Sequence, residues 1–185
     1  MNIAFLSFLN PTDIHCWSGT LYYMYQELSK RHHVKWIGGN LYAKMKAYHS
    51  DLHKDESHFN AEEYAKEFGA LISIDLQSAY YDAVICRDYF YLAYLVAEIP
   101  IIYVGDTTFH LFKGYLGITD ECIIHQYDEL ERLAITRATK ICYPTPWAKK
   151  SAMEHYGKKA DDVEVIEFGA NIPEKIPYKQ KKDTK

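Results

Sequence analysis

Ile141-Cys142-Tyr143-Pro144-Thr145-Pro146-Trp147-Ala148 opens a passage that runs through His155-Tyr156-Gly157 to Val163-Glu164-Val165-Ile166-Glu167-Phe168-Gly169-Ala170-Asn171. Its punctuation predicts a strand, a helix and a second strand. Thr145 suits a helix N-cap, where a side-chain oxygen accepts an otherwise unpaired N–H. Pro146 suits the first helical position, where no N–H is needed. Gly157 stands where a left-handed residue would end the helix. Beyond Asn171 the chain turns rich in Pro and Lys, and residues 174–185 are expected to be a linker.

Working outward from this unit, short apolar runs alternate with helical patterns, which predicts an α/β domain with a mainly parallel sheet over residues 1–173. Ile3–Phe8 reads as a buried first strand, followed by a loop to Gly19 and a helix with Leu21, Met24, Tyr25 and Leu28 on one face. Val34–Ile37, Ala83–Cys86 and Ile101–Val104 read as further strands. Asn60 is expected to cap a helix through Tyr64, Phe68, Leu71 and Asp75, with Gly69 as a weak point in it. Asp88 is expected to cap a helix presenting Leu92, Leu95, Val96 and Ile99. A long loop from Gly105 to Thr119 then precedes a helix carrying Tyr127, Leu130, Leu133 and Ala134. Leu41, Met45, Tyr48 and Leu52 have helical spacing, while their polar neighbours also fit a loop.

Composition bounds the function. At 185 residues, 48% hydrophobic and 25% charged, the chain has the profile of one globular domain with a sizeable core. A net charge of −4 gives no global field favouring nucleic acid or an anionic membrane, so no nucleic-acid partner and at most peripheral membrane contact are expected. The basic tail from Lys179 reads as a solvated linker end. Cys16, Cys86, Cys122 and Cys142 form no C-x-x-C pair, two of them lie in or beside apolar strand candidates, and they read as buried free thiols of a reducing compartment. With no signal-peptide pattern and no run near the ~20 apolar residues of a membrane span, a cytoplasmic location is expected. His49 and His53 share a helical face near His58, but no carboxylate or Cys completes a site, and the expectation is no metal.

Tyr143 to Ala148, His155-Tyr156-Gly157 and Val165 to Asn171 together resemble the end of the N-terminal domain of glycosyltransferase family 4. Those enzymes often carry a Ser/Thr-x-Trp-Ala helix start, a Tyr-Gly helix end and a Pro-x-Gly-x-Asn-type exit strand, where Glu167-Phe168-Gly169-Ala170-Asn171 stands here. The resemblance implies the N-terminal half of a GT-B fold, a Rossmann-like three-layer sandwich. It implies a parent enzyme that moves a sugar from a nucleotide-sugar donor to a sugar or glycan acceptor, with retention and without cofactor or obligatory metal. The donor would be held mainly by a second, C-terminal domain that residues 1–185 do not contain. Two other readings stand beside it: a non-catalytic ligand-binding or scaffold domain, and part of a GT-B-like nucleotide-sugar epimerase.

Ligands of open α/β sheets sit at the carboxyl ends of the strands, which directs attention to three loops. In the first, Asn10 to Thr20, Gly19 at a helix start permits close approach of an anion; it also reads as an ordinary loop glycine. After Ala83–Cys86, Arg87 can meet an anionic ligand or form a surface ion pair. After Ile101–Val104, Gly105-Asp106-Thr107-Thr108-Phe109-His110 resembles an Asp-Ala-Thr-Phe segment of one branch of the family. The resemblance implies Asp106 and His110 as catalytic residues, with Asp13, Gly19, Arg87, Thr107 and Thr145 contacting substrate. Asp106 equally reads as the cap of a turn. No G-x-G-x-x-G, P-loop or G-x-S-x-G motif is present in the sequence.

Overall fold

The computed structural model describes residues 1–44, 46, 47, 50 and 60–172. The expectations for Met45, Tyr48 and Leu52, for His49, His53 and His58, and for the linker 174–185 lie outside the described residues. The described elements, in chain order, are β1 (Asn2–Leu6), α1 (Thr20–Ser29), β2 (His33–Ile37), α2 (Ala61–Gln77), β3 (Ala83–Cys86), α3 (Tyr89–Leu92) and β4 (Ile101–Val104). They continue with α4 (Phe109–Phe112), α5 (Glu121–Arg137), β5 (Lys140–Tyr143), α6 (Pro146–Tyr156) and β6 (Val163–Val165).

The six strands form one parallel sheet in the order β2-β1-β3-β4-β5-β6. The central strands β1, β3 and β4 are short and apolar, as befits a sheet buried on both faces, while the edge strands β2 and β6 carry exposed polar residues. Alternation divides the strand residues between two cores. Ala4, Leu6, Val84, Cys86, Ile101, Tyr103, Ile141 and Tyr143 pack with α2, α3, α5 and α6. Ile3, Phe5, Ile85 and Val104 pack on the opposite face with α1, through Leu21, Met24, Tyr25 and Leu28. The result is a Rossmann-like three-layer α/β sandwich.

The punctuation at the end of the chain behaves as its chemistry dictates. Thr145 Oγ1 accepts the Ala148 N–H at 3.2 Å, Pro146 opens α6, and Gly157 closes it at φ 69°. Asn60 Oδ1 accepts the Glu63 N–H at 3.1 Å and starts α2. Gly69, midway along α2, is a point of contact rather than a weakness: a Cβ there would lie 2.7 Å from the Tyr94 carbonyl carbon.

Three local expectations are corrected. The first strand ends at Leu6, because the Phe8 N–H turns to Asp88 (3.4 Å) and the Leu9 N–H to Ser7 Oγ (3.1 Å). The helix after Asp88 lasts one turn, and the Asp88 side chain does not cap it. Beyond that turn the Val96 N–H goes to Ser73 Oγ at 3.0 Å, which holds the chain across α2, and Pro100 disfavours helix at Ile99. The exit strand is also shorter than expected. After Val165 and a last ladder bond from Ile166 N–H to Tyr143 O (2.8 Å), residues 166–172 leave the sheet and reach the start of α1.

Candidate functional site

Strand register decides which loops meet. Leu6 pairs with Cys86, and Cys86 with Tyr103, so the carboxyl ends of β1, β3 and β4 lie side by side. The chain order reverses between β1 and β3, the position where open α/β sheets leave a crevice. A cavity of about 310 Å³ opens at this edge. Trp17, Arg87, Asp106, Thr107, Phe109 and Glu131 line it, with Tyr89, Tyr103 and Phe112 adding aromatic wall.

Arg87 forms a buried pair, not a surface one. Its Nη1 donates to Asp88 Oδ1 at 2.9 Å, with side-chain exposures of 20% and 7%. The guanidinium lies 4.8 Å from the Trp17 ring centre and 5.9 Å from that of Phe8. Burial opposes its charge, and the carboxylates of Asp88 and Asp106 outweigh that, raising its pKa. Burial pushes the Asp88 carboxyl up, against the opposing pull of Arg87 and the Phe8 N–H. Arg87 Nε and Thr107 Oγ1 are buried atoms with no hydrogen-bond partner.

Asp106 is exposed at the cavity mouth, and its Oδ2 accepts the Trp17 indole N–H at 3.0 Å. The Asp106 side chain is therefore engaged with the first loop rather than with its own turn. Below it, Glu131 reaches the cavity from α5. Its carboxyl accepts the Tyr103 hydroxyl (3.2 Å), the Tyr156 hydroxyl (3.2 Å) and the Phe109 N–H. Burial pushes its pKa up to about 7, while those three hydrogen bonds pull the other way.

Of the expected site residues, Arg87, Asp106 and Thr107 come together around one cavity. Gly19 is not among the residues lining it: it is buried at φ 84°, and a Cβ there would sit 3.2 Å from Asn171 Cβ. Asp13, Thr145 and His110 are engaged elsewhere. Asp13 Oδ1 accepts the His15 N–H at 2.9 Å within its exposed loop, and Thr145 caps α6. The His110 ring stacks on His155 with centroids 3.6 Å apart; burial, then His155 and Lys113, lower its pKa.

The sequence does not single out Trp17 or Glu131, and it marks Asn171 only as the end of the exit motif. Glu131 had a signal, since it lies four residues beyond Tyr127 and shares the apolar face of α5. Trp17 had none: its place depends on residues 87, 106 and 168. Among the described residues, no group of three or more His, Cys, Asp or Glu side chains is placed to hold a metal ion. No helix of the described residues is long and apolar enough to cross a membrane.

The cavity thus has flat apolar walls, an exposed carboxylate at its mouth, and two buried polar atoms without partners, Arg87 Nε and Thr107 Oγ1, on residues that line it. That combination suits a small ligand with an apolar ring face and a hydroxylated rim. No protein-family model matches the chain, and no curated protein sequence matches it.

Proposed function

We propose that this chain is the acceptor-side half of a retaining glycosyltransferase that uses a nucleotide-sugar. The observation that carries the reading is the convergence of Asp106, Thr107 and Arg87 on one aromatic-walled cavity at the carboxyl ends of β3 and β4, next to the point where the strand order reverses. The Tyr143–Ala148 and Glu167–Asn171 motifs supply the resemblance. Asp106 and Thr107 would orient sugar hydroxyls, the carboxylate as acceptor and the hydroxyl as either partner. Tyr89, Tyr103 and Phe109 would face the apolar side of the ring.

On this reading the rest of the reaction falls to another domain. Departure of a nucleoside diphosphate needs positive charge or aligned N–H dipoles at the leaving oxygens. Arg87 is the one cationic side chain among the described residues lining this cavity, and Asp88 already neutralises it. Residues 1–185 should therefore bind sugars and transfer none. Adding glucose, galactose, mannose or N-acetylglucosamine to the ¹⁵N-labelled chain is expected to move the amide signals of residues 17–19, 87 and 105–108. Shifts confined to other regions, or none with any sugar, would overturn the proposal. Robust transfer from a nucleotide-sugar by the isolated chain would contradict the division of labour.

A further inference from the structure

Trp17 (φ 49°) and Ser18 (φ 53°) are non-glycine residues with left-handed backbone, and Gly19 follows at φ 84°. Such a conformation is unfavourable for a residue with a Cβ and persists only where surrounding contacts over-determine it. Four contacts do so here, and they come from three separate parts of the chain. Asp106 takes the Trp17 indole N–H, and Arg87 stacks on the Trp17 ring. Phe168 meets that ring edge-on at 5.3 Å. The Asn171 amide donates to the Ser18 carbonyl at 2.9 Å and to Thr20 Oγ1 at 2.8 Å.

Two of the four contacts thus belong to residues 166–172, which have already left the sheet. The same tryptophan walls the cavity and occupies one oxygen of its exposed carboxylate. From this geometry we infer that the exit segment is a latch: through Asn171 and Phe168 it holds Trp17 against Asp106, so a shift of that segment frees the carboxylate for a ligand. The left-handed Trp17-Ser18 backbone favours release once Asn171 lets go. The position of the chain after Val165 is thereby coupled to the state of a cavity built by β3 and β4.

The gating role rests on the proposed sugar site, but the latch can be read without a ligand. The three indole N–H signals of ¹⁵N-labelled chain are assigned with Trp17→Phe, Trp36→Phe and Trp147→Phe. Trp36 donates to the Ser7 carbonyl at 2.8 Å, remote from the latch, and reports whether the fold is intact. In Asn171→Asp, which keeps the shape but loses the amide donor, the Trp17 indole should exchange with solvent at least tenfold faster while Trp36 is unchanged. Phe168→Ala should act in the same direction, and Asp106→Ala marks the fully released signal. An unchanged Trp17 indole in both latch variants, with Trp36 intact, would overturn the inference. A released Trp17 together with no sugar-induced shifts in any variant would leave the latch standing and remove the sugar site.

Discussion

The Glu131 carboxyl, near the centre of α5, accepts the Tyr103 hydroxyl of β4 at 3.2 Å and is 1% exposed. Through the Phe109 N–H and the Tyr156 hydroxyl it also ties α4 and α6 to the floor of the cavity. One buried acid therefore joins the sheet to three helices, and its proton state bears on stability.

Burial holds the folded pKa at about 7, above the ordinary glutamate value of 4.5. A raised pKa means that the stabilising contribution is complete below the unfolded value and is lost as pH rises through the folded one. Glu131→Gln stays neutral throughout. Relative to that variant, the wild-type chain should lose up to roughly 3 kcal/mol between about pH 5 and about pH 8, since one pKa unit corresponds to 1.36 kcal/mol. Urea unfolding at several pH values measures it; a pH-independent difference would contradict the assignment.

Gly69→Ala reverses a propensity argument. In an exposed helix the change would stabilise by about 1 kcal/mol. Here the new Cβ would meet the Tyr94 carbonyl group, so a loss of about 1–3 kcal/mol is expected from overpacking. Chemical denaturation gives the sign directly, and a gain in stability would show that residues 93–95 yield easily.

Asp88→Ala should cost about 3–5 kcal/mol, because it leaves the largely buried Arg87 charge without its partner. The double variant Arg87→Met, Asp88→Ala should recover much of that loss. Thermal unfolding of the two would test this, and equal destabilisation would locate the effect in the Phe8 N–H instead.

Thr145→Ala removes the oxygen that holds the Ala148 N–H and should cost about 1 kcal/mol, with Thr145→Ser close to wild type. Loss of the same size in both variants would exclude capping as the cause.

The sequence discloses local devices best. Thr145, Pro146 and Gly157 are legible because a cap uses only neighbours within one turn, and the strands are legible because short apolar runs have few other uses in an α/β chain. Expectations fail where tertiary contacts outvote local preference. Asp88 abandons its cap for Arg87 and the Phe8 N–H, and Ser73 captures Val96 across α2 before a second helical turn forms. The site follows the same division. Arg87, Asp106 and Thr107 follow from strand ends, whereas Trp17 depends on partners 70 and 89 residues away at Arg87 and Asp106. Glu131 falls between: its spacing from Tyr127 places it on the apolar face, but a glutamate there reads as solvated until β4 supplies Tyr103.

The central claim is that Asp106 holds sugar hydroxyls in the cavity at the ends of β1, β3 and β4. Saturation-transfer NMR with the same four monosaccharides, comparing the wild-type chain with Asp106→Ala, tests it most directly. A hydrogen bond to a charged group contributes about 1.5–3 kcal/mol, so removing the carboxylate should weaken binding roughly ten- to a hundredfold. The account predicts clear transfer to at least one sugar and its near disappearance in the variant, with the fold retained and thermal unfolding changed only slightly, since the one hydrogen bond lost, to the Trp17 indole, is exposed to solvent. Equal transfer to both proteins, or none to the wild type, would contradict it.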